Sequence, residues 1–125
     1  MGLTRSQIRE KINRLTREKN TYQKEKEKYN SSLNYAQKLV KKLENSKNHL
    51  NSSNDYMKKF FTIGNNTADN GKINDVKGDI DNILKKLTSS IIPSINSNIR
   101  TLTNKINNLD REINSLKREY ERAEN

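Results

Sequence analysis

The chain has 125 residues and a formal net charge of +10, and 30% of its residues are hydrophobic while 32% are charged. So few apolar residues exclude a broad globular core, but they suffice for the narrow seam of a coiled coil, which needs about two apolar residues in seven. The absence of cysteine excludes disulfides and thiolate metal sites.

The first predicted helix has a clear start. Thr4 can cap its N-terminus, and Gln7, three residues later, completes a capping box. Leu3 and Ile8 occupy the two positions of a hydrophobic staple around that cap. These signals predict a helix over residues 4–63.

A heptad pattern follows along this helix over about eight repeats, as is typical of a coiled coil. One seam position is apolar throughout, at Ile8, Leu15, Tyr22, Tyr29, Ala36, Leu43, Leu50 and Met57. The other is half polar, at Ile12, Lys19, Lys26, Leu33, Val40, Lys47, Asn54 and Phe61. Such polar positions weaken the seam, but they can help to fix its register.

Residues 64–71 form the clearest break in the pattern, because Gly, Asn and Asp dominate them. We therefore predict a turn over 64–72, with Gly64 as the C-terminal cap of the first helix. A second helix follows over 73–123, and acidic residues in its first turns favour this start. Its seam comprises Ile73, Val76, Ile80, Ile83, Leu87, Ile95, Ile99, Leu102, Ile106, Leu109, Ile113, Leu116, Tyr120 and Ala123.

The second helix contains one irregularity. Between Leu87 and Ile95 the apolar spacing shifts by one extra residue, and Pro93 lies inside this stretch. Proline removes a helical hydrogen bond and clashes with the preceding turn, which costs about 3 kcal/mol unless the helix bends. We predict a kink near residues 89–93, and a full break into two helices is the less favoured alternative.

A short turn between two long helices makes them antiparallel neighbours. The predicted fold is therefore all-α: one elongated antiparallel helical hairpin, a coiled coil of residues 1–125 that is roughly 80 Å long, with its second helix kinked near Pro93. With the turn centred near residue 67, the numbers of facing residues add up to roughly 135, so that Ile12 lies near Ala123.

The positive charge is concentrated in the first half of the chain. Residues 1–62 hold fifteen Lys and Arg against six acids, whereas the stretch from residue 72 onward holds ten against eight. Lys19 and Lys26 face the part of the second helix that holds Asp110, Glu112 and Glu119. An acidic protein or a nucleic acid could use the surplus, but a solvated lysine-rich helix face is the simpler interpretation.

Apolar residues also lie beside the seam in the middle of the hairpin, where they exceed what two helices need. They are Tyr35, Leu39, Leu84, Ile91 and Ile92. An apolar stripe wider than the hairpin needs predicts a surface that binds a helix of a partner. The alternative is that the kinked middle of the chain buries these residues internally.

No pattern of catalytic or metal-binding residues accompanies the seams. His49, the single histidine, has no cysteine or second histidine near it and is interpreted as a surface residue. The glycines lack the spacing of a phosphate-binding loop, and the carboxylates follow the helix-surface spacing of ion pairs. Because catalysis needs a concave, preorganised pocket, we predict that the chain is not an enzyme and binds no cofactor or metal.

Two short motifs lie near the ends of the second helix. Tyr120 and Glu124 form a Tyr-x-x-x-Glu pattern at its C-terminal end, and Val76 and Gly78, separated by one residue, lie near its start. With the hairpin architecture, these motifs resemble the small proteins of the type VII secretion system of Gram-positive bacteria. In that family Tyr-x-x-x-Asp/Glu is an export motif, and Trp-x-Gly lies between the helices. Valine in place of tryptophan fits the divergent accessory proteins encoded beside LXG-domain toxins better than the WXG-type proteins proper.

The resemblance implies a non-catalytic partner or targeting subunit. It would bind the helical N-terminal domain of an LXG-type toxin, or a second small helical protein, and support export of the toxin. Tyr120 and Glu124 would present the export signal, and Val76 and Gly78 would form a degenerate WXG-like turn. The protein would be cytoplasmic before export and would leave by a route that needs no signal peptide. This fits the lack of an apolar signal sequence and of a membrane-spanning run.

Three other functions fit a charged helical hairpin. A prefoldin-type chaperone also has two antiparallel helices, but the predicted turn leaves no room for the β-hairpins of that family. A nucleic-acid-associated coiled coil would use the positive charge, although Lys and Arg of the first helix point in many directions instead of forming one stripe. A structural homo-oligomeric coiled coil needs only the seam and stays open.

Overall fold

The computed structural model describes residues 2–60 and 67–123 of the chain. Its helical segments, in chain order, are α1 over Arg5–Phe60, α2 over Thr67–Lys86, a π-helical turn over Leu87–Ile91, and α3 over Ile92–Arg122. The described residues contain no strand, and only Gly2–Thr4 and Ala123 fall outside these segments. The predicted all-α helical hairpin is confirmed.

The chain divides into two compact units. The terminal unit comprises Met1–Ser32 and Ile95–Asn125, and the inner unit comprises Leu33–Ser94. In each unit a stretch of α1 runs antiparallel to a later helical segment, and an ion pair between described residues joins the two.

The predicted capping box fixes the start of α1. The backbone N–H of Thr4 donates to Oε1 of Gln7 at 3.0 Å, and the N–H of Gln7 donates to Oγ1 of Thr4 at 3.2 Å. These bonds give partners to backbone donors near a helix start, where the first turn leaves its N–H groups unpaired. Ile8, directly after the cap, is only 1% exposed, so the cap and the first seam position are both confirmed.

The core of the terminal unit is a narrow apolar seam. Leu15 of α1 is buried against Leu109 and Ile113 of α3. Leu102 and Ile106 of α3 are buried as well. Partly buried residues that extend the cluster are Ile12, Tyr22 and Leu116. All of these are predicted seam positions, and the seam is confirmed in this unit.

Polar contacts show how the helices of the terminal unit are aligned. Nζ of Lys19 lies 2.5 Å from Oδ1 of Asp110, which confirms the charge match predicted for this lysine. Nε of Arg5 donates to the carbonyl oxygen of Ala123 at 2.9 Å. The numbers of these paired residues add up to 129 and 128, not to roughly 135. Ile12 therefore does not lie near Ala123, and that part of the prediction is wrong.

The alignment differs from the prediction by one heptad because α2 begins at Thr67, so that 67–72 of the predicted turn are helical. Because the second helical part of the chain begins earlier than predicted, each residue of α1 faces a residue with a lower number than predicted. Since the shift is close to seven residues, seam positions still face seam positions. Gly71 costs the helix only about 1 kcal/mol and does not stop it. Gly64 and Phe61 lie outside the described residues, as does the side chain of Met57.

The irregularity predicted near Pro93 is a π-helical turn over Leu87–Ile91. The backbone N–H of Ile92 donates to the carbonyl oxygen of Leu87, five residues back, so this turn holds one residue more than an α-helical turn. It takes up the extra residue in the apolar spacing between Leu87 and Ile95. The helix continues directly into α3, so the alternative of a full break is not realised.

Two hydroxyl groups support the backbone at the start of this turn. Oγ1 of Thr88 donates to the carbonyl oxygen of Leu84 at 2.9 Å, and Oγ of Ser89 donates to the carbonyl oxygen of Lys85. Where a π-helical turn interrupts the regular i→i−4 bonds, such side-chain donors give nearby carbonyls a partner. Pro93, which has no N–H to donate, follows just after the turn.

The half-polar seam position of α1 continues into the inner unit. Asn54 is buried there, with 8% of its surface exposed. Its Oδ1 has no hydrogen-bond partner among the residues that the structure describes. A buried amide oxygen without a partner costs about 1–3 kcal/mol, so this residue weakens the seam, as predicted for polar seam positions.

Candidate docking face

The seam of α2 differs from the predicted one. Ile80 and Leu87 are buried, as predicted. The periodicity places Val76 and Ile83 in the same seam, but these side chains are 46% and 48% exposed, and Leu84 is half-buried instead. The Leu84 side of α2 therefore faces α1, and the assignment of Val76 and Ile83 to the seam is wrong.

An ion pair is consistent with this orientation of α2. Nζ of Lys47 lies 2.6 Å from Oδ1 of Asp81. Asp81 and Leu84 are three residues apart and share one side of the helix, whereas Ile83 lies on a different side. Contact of Asp81 with Lys47, a seam residue of α1, therefore fits an α2 whose Leu84 side faces α1 and whose Ile83 side is exposed.

Three exposed apolar residues form one line along α2 and the π-helical turn. Val76, Ile83 and Ile91 are 46%, 48% and 40% exposed. The first two are seven residues apart and the last two are eight apart, and the π-helical turn supplies the additional residue. All three therefore hold the same position beside the seam, along about 22 Å of helix.

α1 contributes two apolar residues to the same side of the inner unit. Tyr35 is 72% exposed, and Leu39, adjacent to it on the helix surface, is half-buried. Lys47 is a seam residue whose ammonium group reaches to one edge of the α1 seam, whereas Leu39 lies beside the opposite edge. Asp81, which binds Lys47, lies on the flank of α2 away from Ile83. Lys47 and Asp81 meet on one side of the pair formed by α1 and α2, so Leu39 and Ile83 both lie on the other side of this pair. The apolar face consists of Tyr35, Leu39, Val76, Ile83 and Ile91.

The five residues predicted as a partner-binding surface all lie in the inner unit, and none of them is buried. Tyr35, Leu39 and Ile91 belong to the apolar face, while Leu84 and Ile92 are half-buried. Complete burial within the chain, the alternative, is not found for any of them. The apolar face also includes two residues that the periodicity assigns to the seam. Partner binding by this surface stays a prediction.

Tyr120 of the predicted export motif is engaged within the terminal unit. The guanidinium carbons of Arg5 and Arg9 lie over its ring, 5.3 and 5.6 Å from the centroid. Nη2 of Arg9 also donates to its hydroxyl oxygen at 2.6 Å. Cation–π contacts of this kind stabilise by about 0.5–1 kcal/mol each at exposed sites. The ring thus joins the end of α3 to the start of α1, whereas Glu124 lies outside the described residues.

The predicted WXG-like turn is not a turn. Val76 and Gly78 lie inside α2, which begins at Thr67. Among the described residues, a Cβ at position 78 would come within 4 Å of no side chain or backbone beyond its own helical turns, so close packing does not require a glycine here. The apolar spacing of Ile73 and Ile80 favours the helix, and the cost of one glycine, about 1 kcal/mol, does not outweigh it.

Titratable residues form no cluster that suggests a metal site in the described part of the chain. His49 is exposed on α1, as predicted. Residues 2–60 and 67–123 contain no group of three or more His, Cys, Asp or Glu placed to hold a metal ion. Among the described helices, none combines the length and the apolar character that crossing a membrane requires.

Comparison of the chain with protein-family models, curated proteins and solved structures finds no match. The resemblance to small type VII secretion proteins therefore depends on the hairpin architecture and on short motifs. The apolar face depends on neither, because it follows from the exposure of its own residues.

Proposed function

We propose that the chain is a non-catalytic partner subunit whose apolar face binds a helix of another protein. One observation carries the proposal: Val76, Ile83 and Ile91 form an exposed apolar line in a chain with only 30% hydrophobic residues. Apolar surface left in water contributes nothing to stability, whereas a helix laid along this line would bury it. Rows of apolar residues at helical spacing are the usual feature of such docking sites.

We further propose that the partner is the helical N-terminal domain of an LXG-type toxin of the type VII secretion system. The support for this identity is the resemblance of the hairpin and of the motif at Tyr120 and Glu124 to that family. The subunit would accompany the toxin in the cytoplasm and support its export. The positive surplus of residues 1–62 would speed association with an acidic partner.

The proposal is tested by co-expressing the full chain with the protein encoded by the adjacent gene. A tag on that protein and size-exclusion chromatography with light scattering would report the complex. We expect a stable complex that the double substitution of Ile83→Ser and Ile91→Ser weakens at least tenfold, about the effect of losing a central apolar anchor. Asn48→Ser, an exposed position on the other flank of α1, serves as the control and should bind normally.

Two outcomes would contradict the proposal. The first is a stable monomer that ignores the neighbouring protein, and the second is unchanged binding after both isoleucine substitutions. Self-association of the chain that depends on Ile83 would instead favour the structural homo-oligomer. A complex with nucleic acid that weakens steeply with salt would favour the nucleic-acid-associated coiled coil.

A further inference from the structure

Two lysines border the apolar face at the same level. Lys42 follows Tyr35 by one heptad and shares its position on α1, and Lys86 follows Ile83 by three residues on the outer side of α2. The numbers 42 and 86 add up to 128, as 47 and 81 do in the ion pair of the inner unit. The two ammonium groups therefore lie on opposite sides of the apolar face, at a level along the helices between Leu39 and Ile83.

Neither lysine has an acidic partner in the described residues. The ion pairs within residues 2–60 and 67–123 join Lys19 to Asp110 and Lys47 to Asp81. On the α2 side of the apolar face, Asp79 has the same heptad position as Lys86, but its carboxylate lies one heptad, or about 10 Å, away. Two like charges at one level, without a counter-charge beside them, leave a positive potential over this part of the face.

We infer that the helix bound by the apolar face is amphipathic and carries carboxylates beside its apolar residues, so that Asp or Glu side chains meet Lys42 and Lys86. This inference rests on the proposed function and names the chemistry of its partner. Apolar anchors over about 22 Å match a helix of roughly 15 residues. Acidic side chains on its flanks would supply the missing counter-charges.

A second copy of the chain fits this surface poorly. In a symmetric dimer the same patch of both copies meets, so that Lys42 and Lys86 of one copy would share an interface with those of the other. The net charge of +10 adds further repulsion between copies. The positive charges of Lys42 and Lys86 beside the apolar face therefore favour an acidic helix of a different protein over a second copy of the chain.

The test uses the full chain and two synthetic 18-residue peptides with the same leucine face, one flanked by glutamate and the other by glutamine. Fluorescence anisotropy at low salt should give a roughly tenfold lower Kd for the glutamate peptide. The K42Q/K86Q double variant should lose this preference. The K41Q/K85Q variant makes the same change in net charge at adjacent residues on the opposite side, and it should keep the preference.

Each of the other possible results of this test leads to one conclusion. Equal Kd values for the two peptides would overturn the acidic partner but leave helix binding by the apolar face standing. Loss of the preference in K41Q/K85Q but not in K42Q/K86Q would overturn the assignment to these lysines. Binding to neither peptide would overturn the inference, while co-expression with the neighbouring protein decides the proposed function separately. Tighter binding to vesicles of anionic phospholipid than to the glutamate peptide would overturn the inference in favour of a membrane surface. Dimerisation that depends on Ile83 would overturn it in favour of a second copy of the chain.

Discussion

The carboxylate of Asp81 lies 2.6 Å from Nζ of Lys47, and this contact lies at the edge of the side of α2 that faces α1. Lysine at a seam position cannot bury its charge, so it reaches to the edge of the seam, where an acid of the other helix meets it. Leu84, three residues after Asp81, lies on the same side of α2 and is half-buried, whereas Ile83 is exposed to water. An exposed ion pair contributes only about 1 kcal/mol or less, so this contact accompanies the packing of Leu84 and does not by itself create the apolar face.

The orientation of α2 can be measured by cysteine accessibility, because the chain has no cysteine of its own. We expect Ile83→Cys to react with a maleimide roughly ten times faster than Leu84→Cys, since exposure controls thiol accessibility. Adding Asp81→Asn should narrow this ratio by releasing Lys47. Asp79→Asn, which removes a charge outside the described ion pairs, is the matched control and should leave it unchanged. Equal rates at positions 83 and 84 in the unaltered background would refute the orientation.

The capping box should contribute measurably to stability. Thr4→Ala removes the hydroxyl that accepts from the N–H of Gln7, and the free energy of unfolding should fall by about 1 kcal/mol. Thr4→Ser keeps an acceptor at the same place and should restore most of this loss. Urea unfolding followed by circular dichroism at 222 nm measures the effect. No difference between the alanine and serine variants would argue against the cap.

Asn54 should limit the stability of the inner unit. Asn54→Leu replaces a buried amide, whose Oδ1 lacks a partner in the described residues, by an apolar side chain. We expect the free energy of unfolding to rise by about 1 kcal/mol or more, because the cost of the unsatisfied oxygen disappears. Asn48→Leu, at an exposed position, controls for added hydrophobicity. A loss of stability in Asn54→Leu would indicate that the amide fixes the pairing of the helices.

Tyr120 should stabilise the terminal unit mainly through its ring. Tyr120→Phe loses the hydrogen bond from Arg9 but keeps a ring under both guanidinium groups, so we expect a loss of about 1 kcal/mol or less. Tyr120→Ala loses the ring as well and should be clearly less stable. Thermal unfolding of the two variants separates the contributions. If both were equally destabilised, the contacts of the ring with Arg5 and Arg9 would be unimportant.

Local signals in the sequence were sufficient for much of this fold. Thr4 and Gln7 are close in the chain, so their hydrogen bonds could be predicted from spacing alone. The extra residue between Leu87 and Ile95 likewise located the π-helical turn, although the form of the irregularity could not be read from Pro93. Such features depend on interactions within a few residues.

Contacts between distant residues set the limits of prediction. A heptad repeat looks the same after a shift of seven residues, so periodicity could not distinguish the observed alignment, with Lys19 at Asp110, from one that places Ile12 near Ala123. Ile83 and Leu84 are adjacent and similarly apolar, so hydrophobicity alone could not decide which of the two side chains faces α1. Asp81 lies three residues before Leu84 and can face the seam lysine Lys47. This possible ion pair was the available signal that Leu84 faces α1 and that Ile83 is exposed.

The hydrogen bond from Arg5 to the carbonyl oxygen of Ala123 brings the start of α1 next to the end of α3. A short glycine-serine linker could therefore join them into a covalent ring without disturbing either helix. Closing a loop of about this length lowers the entropy of the unfolded chain by the equivalent of roughly 4–5 kcal/mol in the chain-entropy model. Cyclisation would thus strengthen the terminal unit while leaving every side chain of the apolar face unaltered.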